Sequence, residues 1–421
     1  MDEQSVLLTD LYQLTMAAGY FAAGKQSEIA TFDLFVRRLP PEREYLIVAG
    51  LAQAVEYLTK VRFTAEEIAW LRKLPVLANA AAEFFSYLES WRFTGTVRAM
   101  AEGTVAFAGE PILTVRAPVM EAQIVETFLL ATVSFQTMIA SKAARLVDIA
   151  QGRPVIEFGT RRAHSPSAGL FAARAAYIGG CAGTSNVLAG QRYGVPVYGT
   201  SAHSWVLAFA QEQEAFRHLQ QLLGVQTVQL VDTYDTAEGT RRAAALGLPL
   251  AAVRIDSGDP IALSREVRGI LDAARLTQVT IMITGDLDEA KIAAILEAQA
   301  PVDSFGVGTH LATSADAPSL AAVYKLVEYE GEGQVRYPEK RSPGKATIGG
   351  AKQVYRQSHR DLMTSVTEIA DGEPLLTTVI QHGHSTGDLG SITGARERCL
   401  QRPRTPRTIE VSETLRAHRI P

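Results

Sequence analysis

Two segments in the middle of the sequence carry side chains suited to binding anions and moving phosphoryl groups. In FGTRR at 158–162, the ring of Phe158 stands three residues before the guanidinium of Arg161. Arginine forms a rigid fork that fits phosphate or carboxylate oxygens, and a phenylalanine ring can stack on a flat heterocycle. In GTSAHSW, His203 could act as a general base or as a nucleophile for phosphoryl groups. Taken singly, a surface ion pair and a packed histidine are the simpler interpretations.

Carboxylates follow three neighbouring apolar stretches further along the chain. Asp232 in VDTYD and Asp256 in RIDSGD stand at the tips of predicted strands, where they could accept ribose hydroxyls or hold Mg²⁺. Mg²⁺ prefers a few carboxylates together with the phosphate oxygens of a substrate. Asp259 and Asp288 stand where helix N-caps are expected, a structural role that aspartate fills well. The pattern leaves the metal ligands themselves unknown.

The stretch GVGTHL at 306–311 resembles the start of a dinucleotide-binding fingerprint but has Leu311 where the third glycine should stand. It also closes the series of predicted strands instead of opening it, so a Rossmann site is a weak interpretation. Gly308 and Thr309 still suit a close approach of the backbone to a phosphate, as after the last strands of α/β barrels. The sequence contains no GxxxxGK[ST] or HExxH segment.

A regular alternation of strand and helix patterns separates these segments. Short runs rich in Val, Ile and Leu predict strands at 154–158, 180–183, 195–199, 228–231, 251–256, 279–283 and 304–308. Amphipathic patterns predict helices at 204–223, 236–246, 261–275 and 287–299. Each strand ends in a polar loop, and such loops collect at the carboxyl edge of a parallel sheet. We therefore predict an α/β fold, an irregular α/β barrel whose rim surrounds one pocket.

The regions on either side of this barrel have a different pattern. Residues 1–140 predict a mixed α+β domain, with helical patterns at 8–23, 51–59 and 64–90 and β-like stretches at 30–36, 94–107 and 112–116. A long helix is predicted over 121–150, and the barrel over 141–337. Residues 338–421, with strand patterns at 352–356 and 375–380, are expected to pack back on the N-terminal domain. Seven Arg against three Glu from Arg396 onward are typical of a solvated surface.

The composition is that of an ordinary folded soluble protein. Of the 421 residues, 47% are hydrophobic and 20% charged, and the formal net charge is −4, which excludes a disordered chain and a polycation for nucleic acid. Cys181 and Cys399 form no CxxC pair, so neither a disulfide framework nor a cysteine zinc site is expected. No uncharged stretch reaches the roughly 18 apolar residues that cross a bilayer. We expect a cytoplasmic protein with neither nucleic acid nor membrane as partner.

Taken in order, the motifs resemble those of the nicotinate phosphoribosyltransferase family. The matching blocks run over most of the chain: TDLYQLTMAAGY, EAQIVETFLLA, FQTMIASKAAR, FGTRRAHSP, GTSNV, GTSAHSW, VDTYDT, RIDSGD, GVGTHL and KQVYR. The resemblance implies a type II phosphoribosyltransferase fold and a reaction of NAD salvage. In that reaction nicotinate and 5-phosphoribosyl 1-pyrophosphate give nicotinate mononucleotide and pyrophosphate. The resemblance also implies coupled ATP hydrolysis, Mg²⁺ as cofactor, and a homodimer with shared active sites.

The resemblance further implies roles for particular residues. Phe158 would stack on nicotinate, with Tyr12 of the partner subunit on the opposite face. Arg161 resembles the pyrophosphate-binding arginine, and Arg254 the guanidinium that lines the substrate pocket. The remaining matches are Asp232 and Asp256 near ribose and metal, His203 as the histidine that ATP phosphorylates, and, around the 5′-phosphate, Gly285, Asp286, Gly308 and Thr309.

Ser185 bears on the choice between nicotinate and nicotinamide. It stands in GTSNV, where nicotinamide-using relatives have an aspartate that accepts the amide N–H. A hydroxyl can donate to the nicotinate carboxylate that an aspartate would repel. Nicotinamide or quinolinate phosphoribosyltransferase is the alternative activity, and quinolinate would require more basic residues around the ring. A scaffold protein is the alternative from another class, and the presence together of Arg161, His203, Asp232 and Asp256 argues against it.

Overall fold

The chain divides into two compact units. The computed structural model describes residues 5–340, 342, 345–387, 389–402 and 407–417. Unit 1 comprises Met1–Met138 together with Ser319–Pro421, and unit 2 comprises Ile139–Pro318.

The strands and helices are numbered here in chain order. The strands are β1 (Ile29–Val36), β2 (Leu46–Ile47), β3 (Thr96–Met100), β4 (Val105–Ala106), β5 (Pro111–Pro118), β6 (Val155–Glu157), β7 (Gly183–Thr184), β8 (Val228–Leu230), β9 (Ala252–Ile255), β10 (Thr280–Ile283), β11 (Ser304–Val307), β12 (Ala322–Gly331), β13 (Gln334–Arg336), β14 (Lys352–Arg356), β15 (Arg360–Ser365), β16 (Glu373–Pro374), β17 (Leu376–Gln381), β18 (His384–Ser385) and β19 (Thr408–Val411). The α-helices are α1 (Leu11–Ala22), α2 (Leu51–Lys60), α3 (Ala65–Leu71), α4 (Ala82–Ser90), α5 (Val119–Ile124), α6 (Glu126–Ile149), α7 (Pro166–Ile178), α8 (Val187–Tyr193), α9 (His203–Leu207), α10 (Glu212–Leu223), α11 (Thr236–Ala245), α12 (Pro260–Ala273), α13 (Glu289–Glu297), α14 (Thr309–Ala312), α15 (Ile392–Leu400) and α16 (Glu413–Ala417). Among the residues described, no helix has both the length and the apolar character needed to cross a membrane.

Unit 1 is built on a seven-stranded sheet that joins distant parts of the chain. Its order is β13-β12-β1-β5-β3-β17-β18, and every neighbouring pair is antiparallel. The strand β1 reads IATFDLFV and is buried over almost its whole length. Such a strand needs a nearly continuous apolar sequence because both of its faces are covered. Two smaller sheets, β16-β14-β15-β19 and β2-β4, complete the unit.

The core of unit 1 draws on residues from both ends of the chain. Phe32 of β1 stacks on Tyr324 of β12, with ring centroids 4.7 Å apart. The helix α2 buries one face at the i, i+3, i+4 and i+7 positions Leu51, Ala54, Val55 and Leu58. Because one apolar cluster contains all these residues, the N-terminal and C-terminal segments fold around a common core.

Three predicted helices are interrupted in the structure. The prediction of one helix over 64–90 is wrong, because Pro75 cannot continue a helix and a 3₁₀ turn stands between α3 and α4. The predicted helix over 204–223 is α9 followed by α10. The Trp205 indole N–H donates to the Ala215 carbonyl at 3.2 Å, a contact that a straight helix forbids because it separates these residues by about 15 Å. The helix predicted over 121–150 is divided between α5 and α6.

The chain returns to unit 1 earlier than the boundary placed at residue 337 from the sequence. Residues from Ser319 onward belong to unit 1. The reason is the pairing of β12 with β1, which runs from Ile29 opposite Glu330 to Val36 opposite Ala322. This non-local pairing gives no local sequence signal.

The arginine-rich C-terminal region is only in part the solvated surface that its composition predicts: Arg398 and Arg416 are exposed, but other arginines are not. Arg402 is buried and donates to the Cys399 carbonyl at 2.7 Å and to the Tyr45 hydroxyl at 2.8 Å. Arg407 donates to Asp361 Oδ1 at 3.0 Å. These arginines tie the C-terminal region to unit 1 through carbonyl, hydroxyl and carboxylate oxygens. Two others, Arg404 and Arg419, lie outside the described residues.

Unit 2 confirms the predicted α/β fold class. Its sheet has the order β7-β6-β11-β10-β9-β8, and all neighbouring strands are parallel. Val197, in the predicted strand at 195–199, forms only an isolated parallel bridge with Thr184. The sheet curls into a half-barrel, and within residues 139–318 its strands do not close into a full barrel.

Candidate active site

A cavity of about 400 Å³ opens at the carboxyl edge of the parallel sheet in unit 2. Much of its lining comes from the loops after β6, β7 and β9, because the carboxyl ends of parallel strands meet at one edge. Six of the predicted site residues line it: Phe158, Arg161, Ser185, His203, Arg254 and Asp256. The structure thus brings together side chains that lie far apart in the sequence.

Arg254 is held in a fixed orientation in this cavity. Its Nε donates to Thr284 Oγ1 at 2.8 Å, and its Nη1 donates to Thr200 Oγ1 at 2.7 Å. Its Nη2 donates to Asp256 Oδ1 at 2.6 Å. The guanidinium carbon lies 5.9 Å from the centre of the Phe158 ring. The planar fork of arginine suits such a site because it is fixed by several hydrogen bonds at once.

Asp256 is an ionised carboxylate next to His203. Burial raises the pKa of Asp256, but hydrogen bonds from Thr284 and Arg254 and the charge of Arg254 outweigh burial, so the pKa is lowered overall. His203 Nε2 lies 3.9 Å from Asp256 Oδ2, too far for a hydrogen bond. His203 Nδ1 lies 3.1 Å from Thr233 Oγ1. The bond to Thr233 orients the imidazole ring and leaves Nε2 as the nitrogen available for chemistry.

Asp232 is a buried carboxylate with one oxygen left open. Its Oδ2 accepts from the Asp256 backbone N–H at 3.1 Å and from Ser257 Oγ at 2.6 Å. Its Oδ1 is buried and finds no hydrogen-bond partner in the part of the chain that the structure describes. Leaving a buried carboxylate oxygen without a partner is costly, so this oxygen is a candidate for a further ligand, although Asp232 is not among the residues that line the cavity.

A second cavity, of about 240 Å³, also has Asp256 in its lining. Gly285 lines this cavity with a φ of +92°, and an added Cβ there would lie 2.0 Å from the Asp256 carbonyl oxygen. Only glycine fits this position. Asp286 follows with a φ of 48° and is not among the lining residues, although its carbonyl accepts from Lys291 Nζ at 2.8 Å. The turn after β10 therefore presses its backbone against the loop after β9.

Gly308 and Thr309 line neither cavity but adjoin the Phe158 loop. The Phe158 N–H donates to the carbonyl of Val307 at 2.8 Å. A Cβ on Gly159 would lie 2.7 Å from the Gly308 carbonyl oxygen, so the two loops pack backbone against backbone. Thr309 begins the four-residue helix α14.

Tyr12 belongs to the helix α1 of unit 1. Its side chain is 47% exposed, which leaves much of the ring uncovered in the single chain. Burial of the remainder, together with the charges of Glu126 and Asp10, raises the pKa of the phenol. Tyr12 therefore stays a neutral aromatic side chain.

Three aspartates are helix N-caps. Asp259 accepts from the Ile261 N–H and Asp288 from the Lys291 N–H, both at 2.9 Å, which confirms the sequence interpretation. Asp235 caps α11 in the same way. Capping thus accounts for these three carboxylates and not for Asp232 or Asp256.

The sequence analysis does not identify Glu157 as a site residue. It is the last residue of β6 and is buried, and its carboxylate accepts from the Gly159 N–H and from Thr184 Oγ1, the latter at 2.5 Å. The available signal was a charged residue in the otherwise apolar strand PVIEF. Its partner Thr184 lies in a two-residue strand with no pattern of its own.

The carboxylate pair Asp232 and Asp256 suits a metal that arrives with its substrate. No group of three or more His, Cys, Asp or Glu side chains in the described ranges is arranged to hold a metal ion. Mg²⁺ is commonly bound by one or two carboxylates while substrate phosphates and water complete its shell. The open Oδ1 of Asp232 fits such a shared site.

Comparisons with known proteins agree on one family. Residues 7–134 match the nicotinate phosphoribosyltransferase N-terminal domain, and residues 154–342 match the nicotinate phosphoribosyltransferase family model. A nicotinate phosphoribosyltransferase of Mycobacterium tuberculosis (strain ATCC 25618 / H37Rv) is 45% identical over 388 residues, which cover 90% of this chain and 82% of the relative. That of Bacillus subtilis (strain 168) is 42% identical over 364 residues, 84% of this chain and 74% of the relative.

A solved structure agrees with these relatives. The crystal structure of human nicotinic acid phosphoribosyltransferase superposes with a TM-score of 0.83 at 28% identity, covering 97% of this chain and 98% of the human one. Together, the family models cover well over half of the 421 residues. The chain therefore belongs to the nicotinate phosphoribosyltransferase family and is an enzyme of that type, which transfers a phosphoribosyl group to nicotinate in NAD salvage.

Proposed function

We propose that the 400 Å³ cavity of unit 2 is where this chain joins nicotinate to the phosphoribosyl group of 5-phosphoribosyl 1-pyrophosphate. The observation that carries the proposal is the convergence in one cavity of an aromatic ring, two guanidinium groups, a hydroxyl, an imidazole and a carboxylate. These are the groups that a pyridine carboxylate and a sugar diphosphate require. A scaffold protein would not require this set of groups in one cavity.

Nicotinate would bind with its ring against Phe158. The Ser185 hydroxyl would donate to the nicotinate carboxylate, which an aspartate at that position would repel. We propose that the enzyme is a homodimer in which Tyr12 of the partner subunit covers the other face of the nicotinate ring. The exposed ring of Tyr12 in the single chain supports this arrangement.

Transfer breaks the bond between ribose C1 and the pyrophosphate oxygen and forms a bond from C1 to the pyridine nitrogen. The departing pyrophosphate gathers negative charge while C1 becomes positive. Arg161 would bind the pyrophosphate oxygens, and preorganised charges of this kind stabilise a transition state strongly. The hydrogen bond between Arg254 and Asp256 would keep both side chains in place for the reaction.

The remaining groups would hold the sugar phosphate. Asp232 and Asp256 would hold Mg²⁺ together with the pyrophosphate and accept hydrogen bonds from the ribose hydroxyls. When bound, Mg²⁺ supplies charge neutralisation for the leaving group. The backbone turns at Gly285 and Asp286 and at Gly308 and Thr309 would receive the 5′-phosphate. The position of Gly285 in the lining of the second cavity supports this placement.

We propose that ATP drives the reaction through a phosphohistidine at His203. The lone pair of Nε2 attacks the γ-phosphorus of ATP, the bond from that phosphorus to the β-phosphate oxygen breaks, and ADP leaves. Water later attacks the phosphorus, the N–P bond breaks, and phosphate leaves. The hydrogen bond of Nδ1 to Thr233 supports the choice of Nε2 as nucleophile. While it lasts, the phosphoryl group adds negative charge beside Asp256 and orders the pyrophosphate site.

The proposal includes a cytoplasmic location. Cys181 and Cys399 are both buried as thiols. A reducing compartment keeps thiols in this form.

The variant His203→Ala tests the coupling to ATP. It should form nicotinate mononucleotide while cleaving little ATP, so the number of ATP molecules consumed per product falls, and KM for 5-phosphoribosyl 1-pyrophosphate rises. The variant His164→Ala is a matched control, since it removes an exposed imidazole from the FGTRRAHS loop and should change neither quantity. An unchanged ratio of ATP consumed to product formed in His203→Ala would refute the phosphohistidine.

A further inference from the structure

The carboxylate of Glu157 links the two loops that carry the proposed nicotinate contacts. Its side chain is completely buried and is not part of the cavity lining. One oxygen accepts from the Gly159 N–H, in the loop of Phe158 and Arg161. The other accepts from the Thr184 hydroxyl at 2.5 Å, in the residue before Ser185.

A second connection closes this link into a ring. Thr184 Oγ1 accepts from the Asn186 backbone N–H at 2.9 Å. Asn186 Nδ2 then donates to Thr160 Oγ1 at 3.1 Å, which returns to the first loop. Asn186 Oδ1 also accepts from the Ala189 N–H at 2.9 Å and so caps α8. The two loops are therefore fixed to each other on both sides.

The geometry of the first loop leaves little freedom for adjustment. A Cβ on Gly159 would lie 2.9 Å from Glu157 Oε1 and 2.7 Å from the Gly308 carbonyl oxygen. The Ser185 N–H donates to the Glu157 carbonyl at 3.0 Å, so the backbone of the same residue holds the second loop. Any change in how the carboxylate binds is therefore transmitted to both loops.

Burying a carboxylate is unfavourable unless its hydrogen bonds repay the loss of water. Burial raises the pKa of Glu157, and the hydrogen bonds from Thr184 and Gly159 offset this only in part, so the pKa is raised overall. An apolar residue would fill the end of a buried strand at no such cost. A carboxyl group kept at this place, hydrogen-bonded to two loops of a site, indicates a function in aligning them.

We propose that Glu157 is a positioning residue that fixes the Phe158 loop relative to Ser185 and thereby sets the affinity and acid selectivity for nicotinate. The inference rests on the proposed nicotinate site. Phe158 would contact the ring and Ser185 the carboxylate, so the separation of the two loops must match the length of the substrate. Glu157 itself would touch neither substrate.

The variant Glu157→Gln tests the proposal. A glutamine offers one acceptor oxygen to two donors, and its NH₂ group would face either the Gly159 N–H or the Thr184 hydroxyl. We expect KM for nicotinate to rise about tenfold or more, because a mispaired buried donor shifts a loop that must be placed within a fraction of an ångström. The ratio of specificity constants for nicotinate and nicotinamide should fall, with a smaller change in kcat.

Thr184 provides a second test that does not depend on the folding of Glu157→Gln. Thr184→Val removes the hydroxyl and should raise KM for nicotinate in the same way. Thr184→Ser keeps the hydroxyl and should restore a KM near that of the wild type. Equal KM values in the Val and Ser variants would overturn the proposal.

Glu121→Gln is the matched control for a purely structural carboxylate. Glu121 is buried in unit 1 and accepts from the Thr94 N–H at 2.6 Å and from the Thr94 hydroxyl at 3.1 Å. This variant should lower Tm and leave KM unchanged. If Glu157→Gln also lowers only Tm, Glu157 is structural and the inference is wrong.

Phe158→Ala separates this inference from the proposed site. A rise in KM for nicotinate in Phe158→Ala without a rise in Glu157→Gln overturns the positioning role alone. An unchanged KM in Phe158→Ala overturns the site, and the inference with it.

Discussion

Two buried aspartates, one in each unit, show different uses of a buried charge. Asp33 in β1 of unit 1 has both oxygens occupied: Oδ1 accepts from Thr114 Oγ1 and Oδ2 from Lys352 Nζ, each at 2.8 Å. Asp232 in unit 2 has two donors on Oδ2 and, among the residues described, none on Oδ1. The first carboxylate is matched by protein groups, whereas the second has an unpartnered oxygen that we propose a ligand completes.

The same difference extends to other charged residues of the two units. In unit 1, Asp361 binds Arg356 at 2.5 Å and Arg407 at 3.0 Å. In unit 2, Arg161 is exposed at the cavity and His203 Nε2 lies beyond hydrogen-bond distance from Asp256. We infer that substitutions in the first set should change stability and those in the second should change catalysis.

The largest effect on stability is expected for Asp33→Asn. The change removes the charge that balances buried Lys352, and breaking one partner of a buried ion pair costs about 3–5 kcal/mol. Urea unfolding should show this loss, while kcat/KM per folded molecule stays near the wild-type value. A large fall in kcat/KM without loss of stability would contradict the inference that Asp33 contributes to stability and not to catalysis.

Asp232→Asn should have the largest effect on catalysis. Neutralising the open carboxylate should lower kcat/KM by about 10²–10³-fold, the usual result of losing one electrostatic contact to the transition state, with little change in Tm. Asp235→Asn is the control, because asparagine caps a helix as well as aspartate does and α11 should be unaffected. Near wild-type activity in Asp232→Asn would mean that Oδ1 does not face a ligand.

Ser185→Asp should change selectivity more than overall activity. A second negative charge beside the nicotinate carboxylate should lower the preference for nicotinate over nicotinamide by at least about tenfold. Specificity constants for both substrates give the ratio. An unaltered ratio would place the selection of acid over amide elsewhere in the cavity.

The last prediction concerns the pH dependence of stability. Burial, and then the charge of Asp361, raise the pKa of Glu110 in unit 1 to about 8. Between its ordinary pKa near 4.5 and this value, the folded chain keeps a proton that the unfolded chain releases, so the free energy of unfolding decreases as pH rises. Glu110→Gln should flatten this decrease between pH 5 and pH 8 in urea titrations. Parallel curves for variant and wild type would show that Glu110 is ionised in the fold.

The parallel sheet of unit 2 was largely predictable from the sequence. Its strands are short runs of Val, Ile and Leu bounded by polar loops, and β6, β9 and β10 fall within the predicted ranges. The strand β12 was not predicted, because its charged residues alternate without a clear apolar face and its partner β1 lies almost 300 residues away. Because of the same non-local pairing, unit 2 ends at residue 318 and not at residue 337, where the sequence analysis places the end of the barrel.

The residues that line the cavity could be predicted in part, because several of them follow predicted strands. Phe158 and Asp256 follow strands directly and Arg161 lies in the loop after β6, so the sheet brings them to one edge. The link through Glu157 could not be predicted, because it depends on a contact between Glu157 and Thr184 across two strands. The placement of Tyr12 at a partner's site depends on a second chain, and it remains a prediction.

A crystal structure of the enzyme with nicotinate mononucleotide would show where the product binds. We expect the pyridine ring against Phe158 and its carboxylate within hydrogen-bond distance of Ser185. The 5′-phosphate should lie against the backbone turns at Gly285 and Gly308. A nucleotide bound on unit 1, or on unit 2 away from this cavity, would contradict the account.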